Sequence, residues 1–207
     1  MMYLPKQFNH PEHARSIILE NPFASLVSND DEGFPFISHI PIKLMPHATD
    51  AQQDMLLGHV AKGNPHAGFL YKRPQVLLTF MGPQAYMSPA VYPDLIRVPT
   101  WSYVAVHVKA EVRILEGEEA KDALLKQLIA DHEPAYAQQW RGLPETYTHP
   151  MMNAIVAFEM KLLEVQTKVK LNQHRPEAHA AMHAAYDAGN ESEKALALWM
   201  RRLGLVS

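Results

Sequence analysis

Four short stretches of the chain bring chemically capable residues close together. In "FPFISHIPIKL", residues 34–44, Ser38 and His39 sit side by side in an alternating apolar run. Either could hydrogen-bond a ligand, and the same alternation suits an edge strand with a polar outer face. In "LLGHVAKGNPH" an apolar run ends at Ala61 and continues as Lys62-Gly63-Asn64-Pro65. Amides of a glycine turn and of a helix N-terminus would face an anion there, with Lys62 supplying charge. The glycine spacing is not that of a Walker loop, and Asn-Pro is equally a common helix cap. "KVKLNQHRPEA", from Lys168 to Ala178, gathers Lys168, Lys170 and Arg175 with two amides and a histidine. Arg175 has the planar fork that suits phosphate or carboxylate, and a solvated basic connector would look the same. "PTWSY", Pro99 to Tyr103, sets two aromatics and two hydroxyls at the mouth of a long strand.

Other candidates carry less. His179 and His183 are spaced i,i+4, but no glutamate follows the first histidine and no third ligand is evident; His10 and His13 are weaker still. No metal site is expected from them. No nucleophile motif of the G-x-S-x-G kind is present.

The elements that must position these residues are mostly strands. From Val104 to Ile114, Val104, Val106, Val108, Ala110, Val112 and Ile114 alternate with polar or small residues. That is the period of a half-buried strand. Strands are expected over Ala24–Ser28, Phe34–Leu44, Met55–Ala61, Gln75–Phe80, Ala85–Ser88, Trp101–Leu115 and Ala154–Gln166. Gly82-Pro83 reads as a turn between two of them, "NDDEGF" as a hairpin turn, and Pro41 as an edge or an end of pairing. Helices are expected in "PEHARSIILEN", from Pro65, in "EGEEAKDALLKQLIADHE", and over Pro176–Ala188 and Glu191–Leu203. The layout is α+β, and a small antiparallel barrel would hide most of the strand edges. The two longest strands offer apolar faces that so small a barrel cannot obviously cover, so a homodimer is expected.

Composition narrows the function. The 207-residue chain has a formal net charge of −3, which weighs against direct DNA binding. It has no cysteine, which excludes disulfides and thiolate chemistry. No apolar run approaches the length of a membrane span and the N-terminus lacks a secretion pattern. A cytoplasmic protein is the default expectation.

Taken in order, "MYLPKQF", "FPFISHIPIKL", "GHVAKGNPH", "FMGPQAYMSP", "VPTWSYVAVHV", "IVAFEM" and "KLNQHR" resemble the PaiB family, described as FMN-binding negative transcriptional regulators. The resemblance runs nearly end to end. It implies an FMN-binding split β-barrel over residues 1–175, with peripheral helices and a helical C-terminal extension over 176–207. It implies FMN as cofactor, with Ser38 and His39 flanking the flavin, His59, Val60, Ala61 and Lys62 on the next strand, Lys62 on the phosphate and Asn64 beside it. Thr100, Trp101, Gln173 and Arg175 are the residues it would lend across a dimer interface. The function implied is a regulator acting through flavin or a small molecule, with a flavin-dependent oxidoreductase or a haem-binding or haem-degrading split barrel as alternatives. The chain departs from the family pattern at His66, where an aromatic is usual, and at Val91, Ser102, Asn172 and His174.

Overall fold

The computed structural model describes residues 1–94 and 96–207, with the backbone alone at residue 52. Its strands are β1 (Phe23–Asn29), β2 (Pro35–Pro41), β3 (Lys43–Met45), β4 (Met55–Ala61), β5 (Gln75–Met87), β6 (Thr100–Leu115) and β7 (Ile155–Lys170), in the sheet order β2-β1-β5-β6-β7-β4-β3. Its α-helices are α1 (Ala14–Glu20), α2 (Pro65–Lys72), α3 (Glu118–His132), α4 (Ala137–Gly142), α5 (Glu145–Asn153), α6 (His179–Asp187) and α7 (Glu191–Arg202). The α+β class is the expected one. Among the described residues no helix is long and apolar enough to cross a membrane. The chain forms two compact units, one of Asn21–Phe80 and Val108–Val165, the other of Met1–Glu20, Met81–His107 and Gln166–Ser207.

In the first unit β1 and β2 form the expected hairpin, paired from Phe23↔Pro41 to Asn29↔Pro35. Asp30 Oδ1 accepts from the amides of Glu32 and Phe34, and Gly33 takes φ 88°, a conformation a side chain would strain. The expected single strand Phe34–Leu44 is broken. Pro41 has no N–H to give, Ile42 turns its own N–H to Pro22 O (2.8 Å), and pairing resumes at Lys43↔Leu57 on β4. The two edge strands of the sheet are therefore joined through one residue, and the sheet is not closed by hydrogen bonds as a full barrel would be. Leu26, Leu56, Leu78, Phe80, Phe158 and Met160 are fully enclosed in this unit. Gly58 of β4 is dictated by packing: a Cβ there would lie 2.8 Å from Ile42 Cδ1 and 3.1 Å from the Phe158 ring. Leu124 and Leu128 of α3 pack on Ala157 of β7, as the helical spacing of leucines requires. Helices α4 and α5, between prolines 134, 144 and 150, were not expected from the pattern.

In the second unit β5 runs straight through Gly82-Pro83, where a turn was expected. Gly82 is needed for a close approach instead: a Cβ there would lie 3.2 Å from Val104 Cβ. The backbone beside it bonds to a helix start, with Gln84 N–H donating to Ser192 Oγ (2.8 Å) and Ser192 Oγ donating to Gln84 O (2.7 Å). Strand β7 continues past Gln166 to Lys170 although Thr167 and Lys168 are polar. Lys168 is buried there, its ammonium donating to Tyr3 O (2.8 Å) and facing the Tyr103 ring at 5.2 Å. Helix α7 opens with a capping box between Asn190 and Glu193. Trp199, Met200, Leu196, Met182 and Tyr186 from α6 and α7 are buried.

The apolar faces of β6 and β7 are covered within the chain. Val104, Val106, Val108, Ala110 and Val112 are buried, as are Val156, Phe158, Met160 and Leu162. The surface argument for a dimer cannot rest on them, because helices and neighbouring strands already remove them from water.

Candidate functional site

In the first unit, alternation along β2 sends Ser38 inward and His39 outward. The Ser38 hydroxyl is buried and accepts from Asn64 Nδ2 at 3.0 Å. It also shares a hydrogen bond with His66 Nδ1 at 2.9 Å, and His66 Nε2 shares one with Ser28 Oγ at 3.0 Å. Asn64 Oδ1 caps α2 by accepting from His66 N–H (3.0 Å), and Ala67 N–H bonds to Asn64 O. The first amides of α2 are thus already engaged, and the helix start does not offer the open anion cradle that the Gly-Asn-Pro turn suggested. On the outer side, His39 is exposed and shares a hydrogen bond with Ser25 Oγ (3.0 Å), its direct partner across β1.

On β4, Val60 is buried and Ala61 is exposed, while His59 is half-buried with its Nδ1 enclosed and unpartnered. Burial holds the His59 imidazole below the usual histidine range. Lys62, just past the strand, gives its N–H to Ala154 O (2.7 Å) and has an exposed ammonium with no bond or ion pair among the described residues. A Cβ on Gly63 would meet nothing within 4 Å, so this turn is open to an approaching group. The first unit therefore brings Ser38 and Asn64 together in an interior cluster. It sets His39, His59, Ala61 and Lys62 on the outward faces of their strands and turn.

The second unit holds the remaining candidates. Lys170, at the end of β7, donates to Thr100 Oγ1 across 2.5 Å. Trp101 is exposed, with its indole N–H donating to Gln84 Oε1 (2.9 Å) and its ring edge-on to Tyr86 at 6.3 Å. Gln173 is occupied locally, since its amide donates to Val169 O (2.5 Å) and accepts from Leu171 N–H (2.9 Å). It fixes the turn that presents the exposed Arg175. A cavity of about 400 Å³ opens beside Thr100 and Arg175.

The departures at Ser102, Asn172 and His66 all have interior partners. Ser102 is buried and accepts from Tyr186 O–H at 2.8 Å. Asn172 takes φ 61°, its Oδ1 accepting from Tyr92 O–H (3.2 Å) and its backbone carbonyl bonding His179 Nε2 (3.0 Å). That bond engages His179, while His183 faces Arg201 at 2.5 Å, so the two are not paired on a common ligand position. His10, Glu12 and His13 place ligand-type atoms within 4.8 Å of one another. Sequence reasoning did not single out His66 or Arg97 as site residues. The signal for His66 was its position two residues after the capping asparagine; Arg97, whose guanidinium meets Asp94 and Glu177, had none.

Comparison with known proteins gives the family. The family described as "Putative FMN-binding domain" matches residues 2–164. The chain is 31% identical over 185 residues to the protease synthase and sporulation protein PAI 2 of Bacillus subtilis, covering 85% of this chain and 84% of that protein. It is also 31% identical over 156 residues to an uncharacterized protein of Saccharomyces cerevisiae, covering 64% of this chain and 90% of the other. Among solved structures, the flavocytochrome Anf3 from Azotobacter vinelandii superposes with a TM-score of 0.59 at 14% identity over 79% of this chain and 69% of that one. The FAD and heme binding protein from Mycobacterium smegmatis does so with a TM-score of 0.58 at 14% identity over 78% and 72%. Those two share the fold; the sequence matches carry the family. The chain belongs to the PaiB family of FMN-binding-domain proteins.

Proposed function

We propose that FMN lies along the outward face of β4, with its phosphate at Lys62. The observation that carries this reading is two unmet groups three residues apart in sequence, the free Lys62 ammonium just past β4 and the enclosed, unpartnered His59 Nδ1 on it. Both suit a phosphorylated ring system: a cation for the phosphate and a ring nitrogen for a polar edge. His39, Ala61 and the exposed Ile37 face outward and would flank the ring, while Ser38, Val60 and Asn64 hold the strands and the turn in place from inside. A bound flavin supplies reversible redox chemistry, and the protein's part is to orient it and exclude water.

In the same reading a second copy of the chain lends Thr100, Trp101, Gln173 and Arg175. Trp101 and Tyr86 support such an interface, being large aromatics that keep about half of their surface exposed. The split-barrel domain would span 1–175 and the helical extension 176–207, and the protein would work in the cytoplasm. Regulation would be indirect, through flavin or a small molecule, since the acidic balance gives little footprint for DNA. A gel shift with nanomolar, sequence-specific affinity at physiological salt would overturn that last point.

One feature favours a haem reading as second choice: a half-buried imidazole without a partner is also what an axial ligand requires. The absorption spectrum of the purified protein, before and after adding FMN and then haemin, separates the two. A flavin band perturbed by the protein supports the first reading; a Soret band with an unperturbed flavin supports the second.

A further inference from the structure

We infer that the cavity at the mouth of β6, within the second unit, binds the carboxylate of a small organic acid. The inference uses Lys170, Asn172 and Arg97, none of which the flavin reading assigns to the cofactor; Thr100 and Arg175, which that reading lends to a partner's FMN, line the same cavity.

Two enclosed donors on residues that line this cavity have no partner among the described residues. Asn172 Nδ2 and Arg97 Nε are both buried and unbonded, and both residues line the cavity. Asn172 is 6% exposed and is held from three directions: Tyr92 O–H on its Oδ1, His179 on its carbonyl, and a left-handed backbone at φ 61°. A buried residue held on every side with one amide group left over is what a position built for a ligand oxygen requires. Lys170 lines the same cavity, and its ammonium has Thr100 Oγ1 as its hydrogen-bond partner and no carboxylate among the described residues. Burial, and then the charge of Lys168, push its pKa down, as expected for a cation lacking its counter-ion.

The charge count selects the class. Arg97 is met by Asp94 at 2.8 Å and Glu177 at 3.6 Å, and Arg175 by Glu177 at 3.9 Å, so two guanidinium groups face two carboxylates. Lys168 is occupied by the Tyr3 carbonyl and two tyrosine rings. Lys170 remains as a single uncompensated charge, which matches a monoanion better than a phosphate dianion. Two oxygens of a carboxylate can accept from Lys170, Asn172 and Arg97 together. Tyr3, Phe8 and Val98 line the rest of the cavity and would receive an apolar body.

The test is calorimetric titration of the full chain at neutral pH with benzoate, cyclohexanecarboxylate and 3-phenylpropionate, each against its neutral amide, and with inorganic phosphate. At least one acid should bind saturably, one per chain, with its amide weaker by roughly tenfold or more. Lys170→Met and the near-isosteric Asn172→Asp should each weaken that acid by about 10- to 100-fold, the scale of a charge-assisted hydrogen bond. FMN titrations on the Asn172→Asp sample should be unchanged. Asn172→Asp keeps the Tyr92 contact and tolerates the positive φ, so it remains informative if Lys170→Met does not fold. Binding of none of the acids at millimolar concentration, equal binding of acid and amide, unaltered affinity in Asn172→Asp, or tighter binding of phosphate than of every acid would each overturn the inference.

Discussion

The hydroxyl of Ser38 and the imidazole of His66 stand 2.9 Å apart in a site closed to solvent, with the Ser28 hydroxyl on the opposite ring nitrogen. The ring satisfies two buried hydroxyls at once. Removing it leaves both short of a partner and opens a hole. His66→Ala should therefore destabilise the fold by about 2–4 kcal/mol. Denaturant midpoints of the variant and the parent measure this.

Burial also sets a pH dependence. His59, His66 and His107 all titrate below the ordinary histidine range, chiefly because burial disfavours the cation, with the N-terminal amine and Lys168 adding to the effect at His107. The folded state then binds fewer protons than the unfolded chain. The resulting cost is absent well above pH ~6.5, and it grows as pH falls from there toward the lowered folded values. Stability should fall between about pH 7 and pH 5, and His66→Gln should flatten part of that slope. A pH series of thermal midpoints showing greater stability at pH 5 than at pH 7 would contradict it.

Gly58 is a packing residue. A methyl group there would press on Ile42 Cδ1 at 2.8 Å, which can swing aside, and on the enclosed Phe158 ring at 3.1 Å, which has nowhere to go. Gly58→Ala should cost about 1–3 kcal/mol through overpacking. Flavin affinity per folded molecule should be little altered, because the glycine faces inward.

Much of this fold can be read from periodicity. The valines from 104 to 112 alternate because one face of β6 is buried, and Pro41 ends a ladder because it lacks a donor. Gly82-Pro83 misleads because glycine serves two purposes: it favours turns, and it also permits the close approach to Val104 that the fold uses here. The end of β7 is unreadable locally, since Thr167 and Lys168 look like loop residues although both are buried, Lys168 with its ammonium against the Tyr3 and Tyr103 rings. Helices α4 and α5 lie among prolines that read as breaks. At the site, Lys62 and Asn64 stand out as a cation and a cap, but alternation shows only that Ser38 and His39 point to opposite faces. That Ser38 is taken up inside depends on His66 and Ser28, which come from separate segments.

The shared-site proposal has a sharp consequence. If Arg175 of one copy reaches the ligand of the other, Lys62→Ala and Arg175→Ala homodimers should each bind FMN poorly. Mixed dimers should carry one intact site and one doubly impaired site. Equimolar mixing makes about half of the dimers mixed, so recovery of about a quarter of all sites, at a molecular mass near twice that of the chain by light scattering, is the expected result. A monomer at micromolar concentration, or a dimer in which mixing restores nothing, would contradict the shared site.

The central claim is that Lys62 reads a terminal phosphate on a flavin. Titration of the wild-type protein with FMN and with riboflavin, repeated on Lys62→Ala, addresses it directly. FMN should bind more tightly than riboflavin, and Lys62→Ala should weaken FMN by roughly 1–3 kcal/mol while leaving riboflavin nearly unchanged. Equal affinity of the wild-type protein for the two flavins would contradict the account.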